Sequence, residues 1–91
     1  MITASYRFYA ELNDFLPAFL RQRRFRLLQR KGSTIMEMID ILNIPRTEVD
    51  LILLNGEPAD FSNRVQADDL ISVYPLFRSI NVSPFNRIKR T

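Results

Sequence analysis

The 91 residues contain no cysteine and no histidine, and only two glycines, Gly32 and Gly56. Without cysteine or histidine there is no Cys/His zinc site, no cysteine nucleophile, no triad with a histidine base and no disulfide staple. Two isolated glycines cannot build a glycine-rich phosphate loop. Lys31-Gly32-Ser33-Thr34 has a superficial likeness to the end of one, but the upstream glycine is missing and the run reads as a loop and a helix cap. Long hydrophobic runs are missing too. Leu51-Ile52-Leu53-Leu54 is the longest strongly apolar stretch, against the roughly 20 residues that span a bilayer. Met1 to Arg7 has no basic segment followed by an apolar one, so no signal peptide is expected. These absences argue against a stand-alone enzyme, a cofactor, a small-molecule substrate and a membrane partner, and for a soluble cytoplasmic domain.

What is present is ordinary for a small globular chain: 46% hydrophobic and 25% charged residues, enough for one domain with a shallow core. The charge is unevenly placed. Arg21, Arg23, Arg24, Arg26, Arg30 and Lys31 fall within one stretch that contains no acid. A second acid-free stretch near the end holds Arg78, Arg87, Lys89 and Arg90, while all ten acids lie outside these two blocks.

The apolar pattern orders the elements. Residues 3 to 10 alternate, with Ala4, Tyr6, Phe8 and Ala10 on one side and Thr3, Ser5, Arg7 and Tyr9 on the other, as in a half-buried strand. Residues 11 to 20 read as a long connection, with Phe15 and Phe19 as core anchors. A second strand is expected over 23 to 29, with Phe25 and Leu27 inward and Arg24 and Arg26 outward, antiparallel to the first. Thr34 and Glu37 make a capping box. Ile35, Met38, Ile39 and Leu42 then share one helical face, and Pro45 ends the helix. The continuous run Val49 to Leu54 suggests a strand buried on both faces. Asn55-Gly56 is a tight-turn signal. Residues 57 to 69 read as a polar connection anchored by Phe61, and 70 to 75 as a last strand with Ile71 and Val73 inward. The result is an α+β chain with one helix on one face of a mixed sheet of four to five strands. The helix between two strands fits a right-handed crossover, so the strands at its ends are expected to run parallel. With the first strand beside the last, this is the β-grasp, over residues 1–77, followed by a basic tail or linker over 78–91 with a short extended piece at 80 to 82.

Phe8-Tyr9-Ala10-Glu11-Leu12-Asn13-Asp14-Phe15-Leu16, the run from Pro45 through Thr47-Glu48-Val49-Asp50-Leu51-Ile52-Leu53-Leu54 to Asn55-Gly56, Asp60-Phe61-Ser62 and Val73-Tyr74-Pro75 together resemble the ubiquitin-like domain that precedes the Mut-seven C-terminal RNase (PIN-like) domain of many bacterial proteins. The likeness covers about residues 4 to 84. That module is similar to the ThiS/MoaD sulfur carriers, which share the β-grasp. Where many relatives have His after the proline, this chain has Arg46. Where they have Asp-Gly-Asp before the last strand it has Ala67-Asp68-Asp69, which weakens the case for a left-handed Gly turn there. The resemblance implies a non-catalytic accessory module, with the nuclease activity in a following domain that these residues do not include. Its partners would be RNA, that nuclease domain in cis, or another protein.

Sulfur carriers activate a C-terminal Gly-Gly. This chain reads Ile88-Lys89-Arg90-Thr91 there, and sulfur carriage is not expected. Asp68-Asp69, with Asp60, reads as turn chemistry rather than a metal site. The candidate site is the basic strip: Arg24 and Arg26 sharing a face with Arg7, surrounded by Arg21, Arg23, Arg30 and Lys31. It fits RNA phosphates. The alternative is a solvated edge strand, charged to deter pairing, in a module that contacts only protein.

Overall fold

The computed structural model describes residues 1–76. The tail expected over 78–91, with its extended piece, lies outside the described residues. Five strands and one helix follow in the order β1 (Ile2–Phe8), β2 (Phe25–Gln29), α1 (Ile35–Ile41), β3 (Val49–Leu54), β4 (Glu57–Ala59) and β5 (Leu70–Pro75). They form one mixed sheet in the order β2-β1-β5-β3-β4. β1 is antiparallel to β2 and parallel to β5, and β5 is antiparallel to β3. β2 and β3, at the two ends of the helix, therefore run in the same direction, with β1 and β5 between them. This is the β-grasp that the pattern implies.

Period-2 alternation decides what β1 and β5 bury. Ala4, Tyr6 and Phe8 from β1, and Ile71 and Val73 from β5, are buried beneath α1, which contributes Ile35, Met38 and Ile39. Phe25 and Ile52 join them, and Leu27, Leu42 and Leu54 pack at the margin. The capping box starts α1 as expected: Glu37 N–H donates to Thr34 Oγ1 at 3.2 Å, and Thr34 N–H donates to Glu37 Oε1 at 2.8 Å. Tyr6 lies opposite Phe25, and its buried hydroxyl donates to Gln29 Oε1 at the far end of β2. Burial raises the Tyr6 ionisation well above the ordinary tyrosine range.

Four expectations are corrected. β3 is not buried on both faces: of its six residues only Ile52 is buried, and Leu51 is 42% exposed. The helix covers one face only, so the alternate side chains of this apolar run face outward. The connection 57–69 contains a strand, β4, set by the hairpin that Asn55 and Gly56 close with φ of 52° and 85°. Phe15 and Phe19 are not core anchors. They are 40% and 71% exposed, while Leu12 and Leu16 fill the core from that connection. Finally, a left-handed turn precedes β5 although no glycine is there. Asp68 adopts it at φ 65°, a conformation aspartate tolerates through local hydrogen bonding.

Candidate nucleic-acid interface

Backbone bonds fix which way each strand of the sheet points its polar groups. Ser5 N–H donates to Asp69 O and Asp68 N–H to Thr3 O, both on the β5 side. The odd-numbered residues of β1 thus bond toward β5 and the even-numbered ones toward β2. Ser5 lies opposite Arg26, so Thr3, Ser5, Arg7 and Arg26 share the face away from α1. Arg24 directly precedes β2, next to where the ladder ends at Tyr6 and Phe25. On the other flank Arg7 pairs with Ser72 and Leu53 with Ser72, which brings Tyr74 and Leu53 to the same open face.

The seven candidate cations fall into two groups. Arg7, Arg21, Arg23, Arg24 and Arg26 gather where β1 ends and β2 begins. Arg30 and Lys31 follow the other end of β2. Arg24 and Arg30 are six residues apart along nearly extended chain, about 20 Å at 3.3 Å per residue.

Within the first group, the Arg7 guanidinium carbon lies 5.2 Å from the centre of the Tyr9 ring, a cation–π contact. Its Nε is buried and has no hydrogen-bond partner among the described residues. Tyr9 stacks on Tyr74, with ring centres 4.3 Å apart and planes 8° from parallel. The hydrogen bond to Tyr9, and then partial burial, raise the Tyr74 ionisation, while Arg7 opposes the shift. Arg21 Nε donates to Leu16 O at 2.8 Å, and Arg23 Nη1 to Phe19 O at 3.4 Å. Arg26 forms an exposed ion pair with Asp68 at 3.1 Å. Arg24 is exposed. Exposed Phe15 and Phe19 stand on the connection that carries Arg21 and Arg23.

That connection is held by one side chain. The buried Asn13 donates from Nδ2 to Phe8 O at 3.0 Å and Ala10 O at 2.9 Å, and its Oδ1 accepts from Gln22 N–H at 2.7 Å. Two 3₁₀ turns, Ala10–Phe15 and Ala18–Leu20, fill the span. Glu11 and Asp14, exposed on the same connection, offset part of the positive charge.

Sequence reasoning missed Tyr74, Phe15 and Phe19. Tyr74 was within reach, because a parallel β1–β5 pair with period-2 alternation puts Tyr9 and Tyr74 on one face. No helix among the described residues is long and apolar enough to cross a membrane.

A family model described as Mut7-C ubiquitin matches residues 1–81. Among solved structures, the chain is similar to small archaeal modifier protein 1 of Haloferax volcanii, with TM-score 0.62 and 18% identity over 82% of this chain and 98% of that one. It is similar to a Pyrococcus furiosus protein described as molybdopterin converting factor subunit 1, with TM-score 0.63 and 15% identity over 82% and 98%. A third, the HVO 2177 protein of Haloferax volcanii, has TM-score 0.58 and 18% identity over 81% of this chain and 82% of that one. At these identities the likeness is one of fold. No curated protein matches the chain.

Proposed function

The chain belongs to the Mut7-C ubiquitin family, and from that premise we propose that it is a non-catalytic accessory module of an RNA-processing protein, contacting single-stranded RNA where β1 ends and β2 begins. The observation that carries this reading is the exposure of Phe15 and Phe19 beside Arg21, Arg23 and Arg24. Single-stranded nucleic acid is held by aromatic faces that stack on bases and cations that follow the phosphates. Arg7 and the Tyr9–Tyr74 stack continue the same chemistry onto the open sheet face. Glu11, Asp14 and Asp68 leave only a modest local excess of positive charge, so binding is weak and unspecific in sequence. A nuclease domain in cis supplies the chemistry. After Asp69 the chain has no further acid, so a carboxylate-held metal centre for RNA cleavage does not lie in this stretch.

Titrating a labelled oligouridine against the 91-residue chain at several salt concentrations tests this. Arg24→Ala/Arg26→Ala should lower the slope of log K against log salt by up to about 1.4, taking about 0.7 per lost phosphate contact. Phe19→Ala should weaken binding at every salt concentration without changing that slope. Absence of binding at low salt would sink the reading. The second reading, a module that contacts only protein, would then stand on the apolar side chains of the open face, Leu51 at 42% and Leu28 at 68% exposure.

A further inference from the structure

Among the described residues β2 is an outer strand of the sheet, and its hydrogen-bonding direction follows from β1. The even-numbered residues of β1 bond toward β2, so Phe25, Leu27 and Gln29, opposite Tyr6, Ala4 and Ile2, spend their backbone groups on that ladder. Arg26 and Leu28 turn their N–H and C=O groups to the open edge. Alongside this edge, between β2 and α1, runs a groove of about 700 Å³. Its apolar wall is Leu27, Met38, Ile41 and Leu42, and Ile41 is 67% exposed. Arg30, Lys31 and Arg64 stand along its rim. Neither Arg30 nor Lys31 forms an ion pair among the described residues. Glu37, the acid of the groove, is committed to the helix cap.

We infer that this edge and groove take up an extended acidic peptide as a sixth strand, a site separate from the proposed RNA contact and independent of it. Backbone groups of the peptide pair with Arg26 and Leu28, alternate aliphatic side chains enter the groove, and carboxylates at one end meet Arg30, Lys31 and Arg64. Charge selects this occupant over two others. The chain's own residues 77–91 carry four cations and no acid, so the rim repels them. A second copy added antiparallel about Leu27 sets Arg24 of each chain against Arg30 of the other, and like charges directly opposite destabilise a strand pair. The arginines that keep the edge from pairing with itself leave it open to an acidic strand.

The test uses the 91-residue chain and a labelled nonapeptide, Asp-Asp-Val-Thr-Ile-Thr-Val-Asp-Asp, with a control in which every Asp is Lys. Saturable binding of the acidic peptide is expected, with amide shifts at Arg26, Leu28, Arg30 and Ile41, and roughly fivefold or more weaker binding of the control. Leu28→Pro removes an outward N–H without breaking the β1–β2 ladder, and should weaken binding roughly tenfold. Arg30→Glu/Lys31→Glu alters only exposed side chains, and should also weaken it should Leu28→Pro fail to fold. Four results would overturn the inference: no binding by the unaltered chain, equal binding of the lysine peptide, shifts confined to the open face around Tyr9, or displacement of the peptide by oligouridine at these same amides.

Discussion

The two ends of β2 carry the same charge in different company. At its start, Arg21, Arg23, Arg24 and Arg26 stand with Arg7 among aromatic rings: Tyr9 stacked on Tyr74, with Phe15 and Phe19 open to water. At its end, Arg30 and Lys31 border an aliphatic groove and a strand edge that is unpaired among the described residues. Arginine alone attracts any anion. The neighbours decide which one fits: flat faces suit a base, whereas a strand edge beside aliphatic side chains suits a peptide backbone. A count of cations along the sequence merges the two ends into one strip. The sheet separates them.

The largest expected effect removes what the ends share. Ile39 is fully buried beneath the sheet, and Ile39→Ala should cost about 2–5 kcal/mol by chemical unfolding. The proposed binding of oligouridine and of the acidic nonapeptide should be lost together as the domain unfolds. A loss at one end only, with the fold intact, would show that they do not rest on a common core.

A smaller effect comes from Tyr6, which links the ends directly. Its backbone lies opposite Phe25 while its hydroxyl reaches Gln29. Burial raises its ionisation in the folded chain. The stability it supports is therefore complete below the ordinary tyrosine value of about 10 and falls as pH rises above it, because the unfolded chain releases its proton first. The loss should approach about 1.4 kcal/mol per pH unit, measured as a falling denaturant midpoint above pH 10. A midpoint flat from pH 9 to 12 would contradict this.

The smallest effect sharpens the contrast. Asp68 pairs with Arg26, both largely exposed, and such a pair contributes at most about 1 kcal/mol. Asn accepts the left-handed backbone at this position, so Asp68→Asn should leave the melting temperature nearly unchanged. It frees Arg26 for phosphate, so the loss of slope on Arg24→Ala/Arg26→Ala in this background should come closer to its ceiling of about 1.4, while the acidic nonapeptide binds as before.

Much of the fold could be read from the chain because local signals agreed with it. The alternation of β1, the Thr34–Glu37 capping box, the spacing of Ile35, Met38 and Ile39, and the Asn55-Gly56 turn each depend on neighbours in sequence. The misreadings came where two arrangements satisfy the same pattern. Leu12 and Leu16 have the same spacing as Phe15 and Phe19, and periodicity cannot choose between them; the 3₁₀ turns place the leucines inward. The apolar run of β3 is the same whether one face or two are covered, and only the single helix settles it. Glu57-Pro58-Ala59 has no strand signal of its own and is extended because β3 lies beside it. The cations of the candidate site were all visible in sequence. Their division into two groups was not, since it depends on which end of β2 each one occupies. Tyr74 joined the site through the parallel pairing of β1 with β5, two strands more than 60 positions apart.

Asn13 has a consequence for the energetics of capture. Its amide ties Phe8 and Ala10, at the start of the connection, to Gln22 near its close. A free loop of this length would have to be frozen by whatever it captures, at about 0.5–1.5 kcal/mol for each side chain immobilised. Here much of the backbone ordering is already done during folding, by one buried amide. The segment bearing Phe19, Arg21 and Arg23 is a preformed surface, so the proposed contact with a short single strand would not first have to organise its receptor.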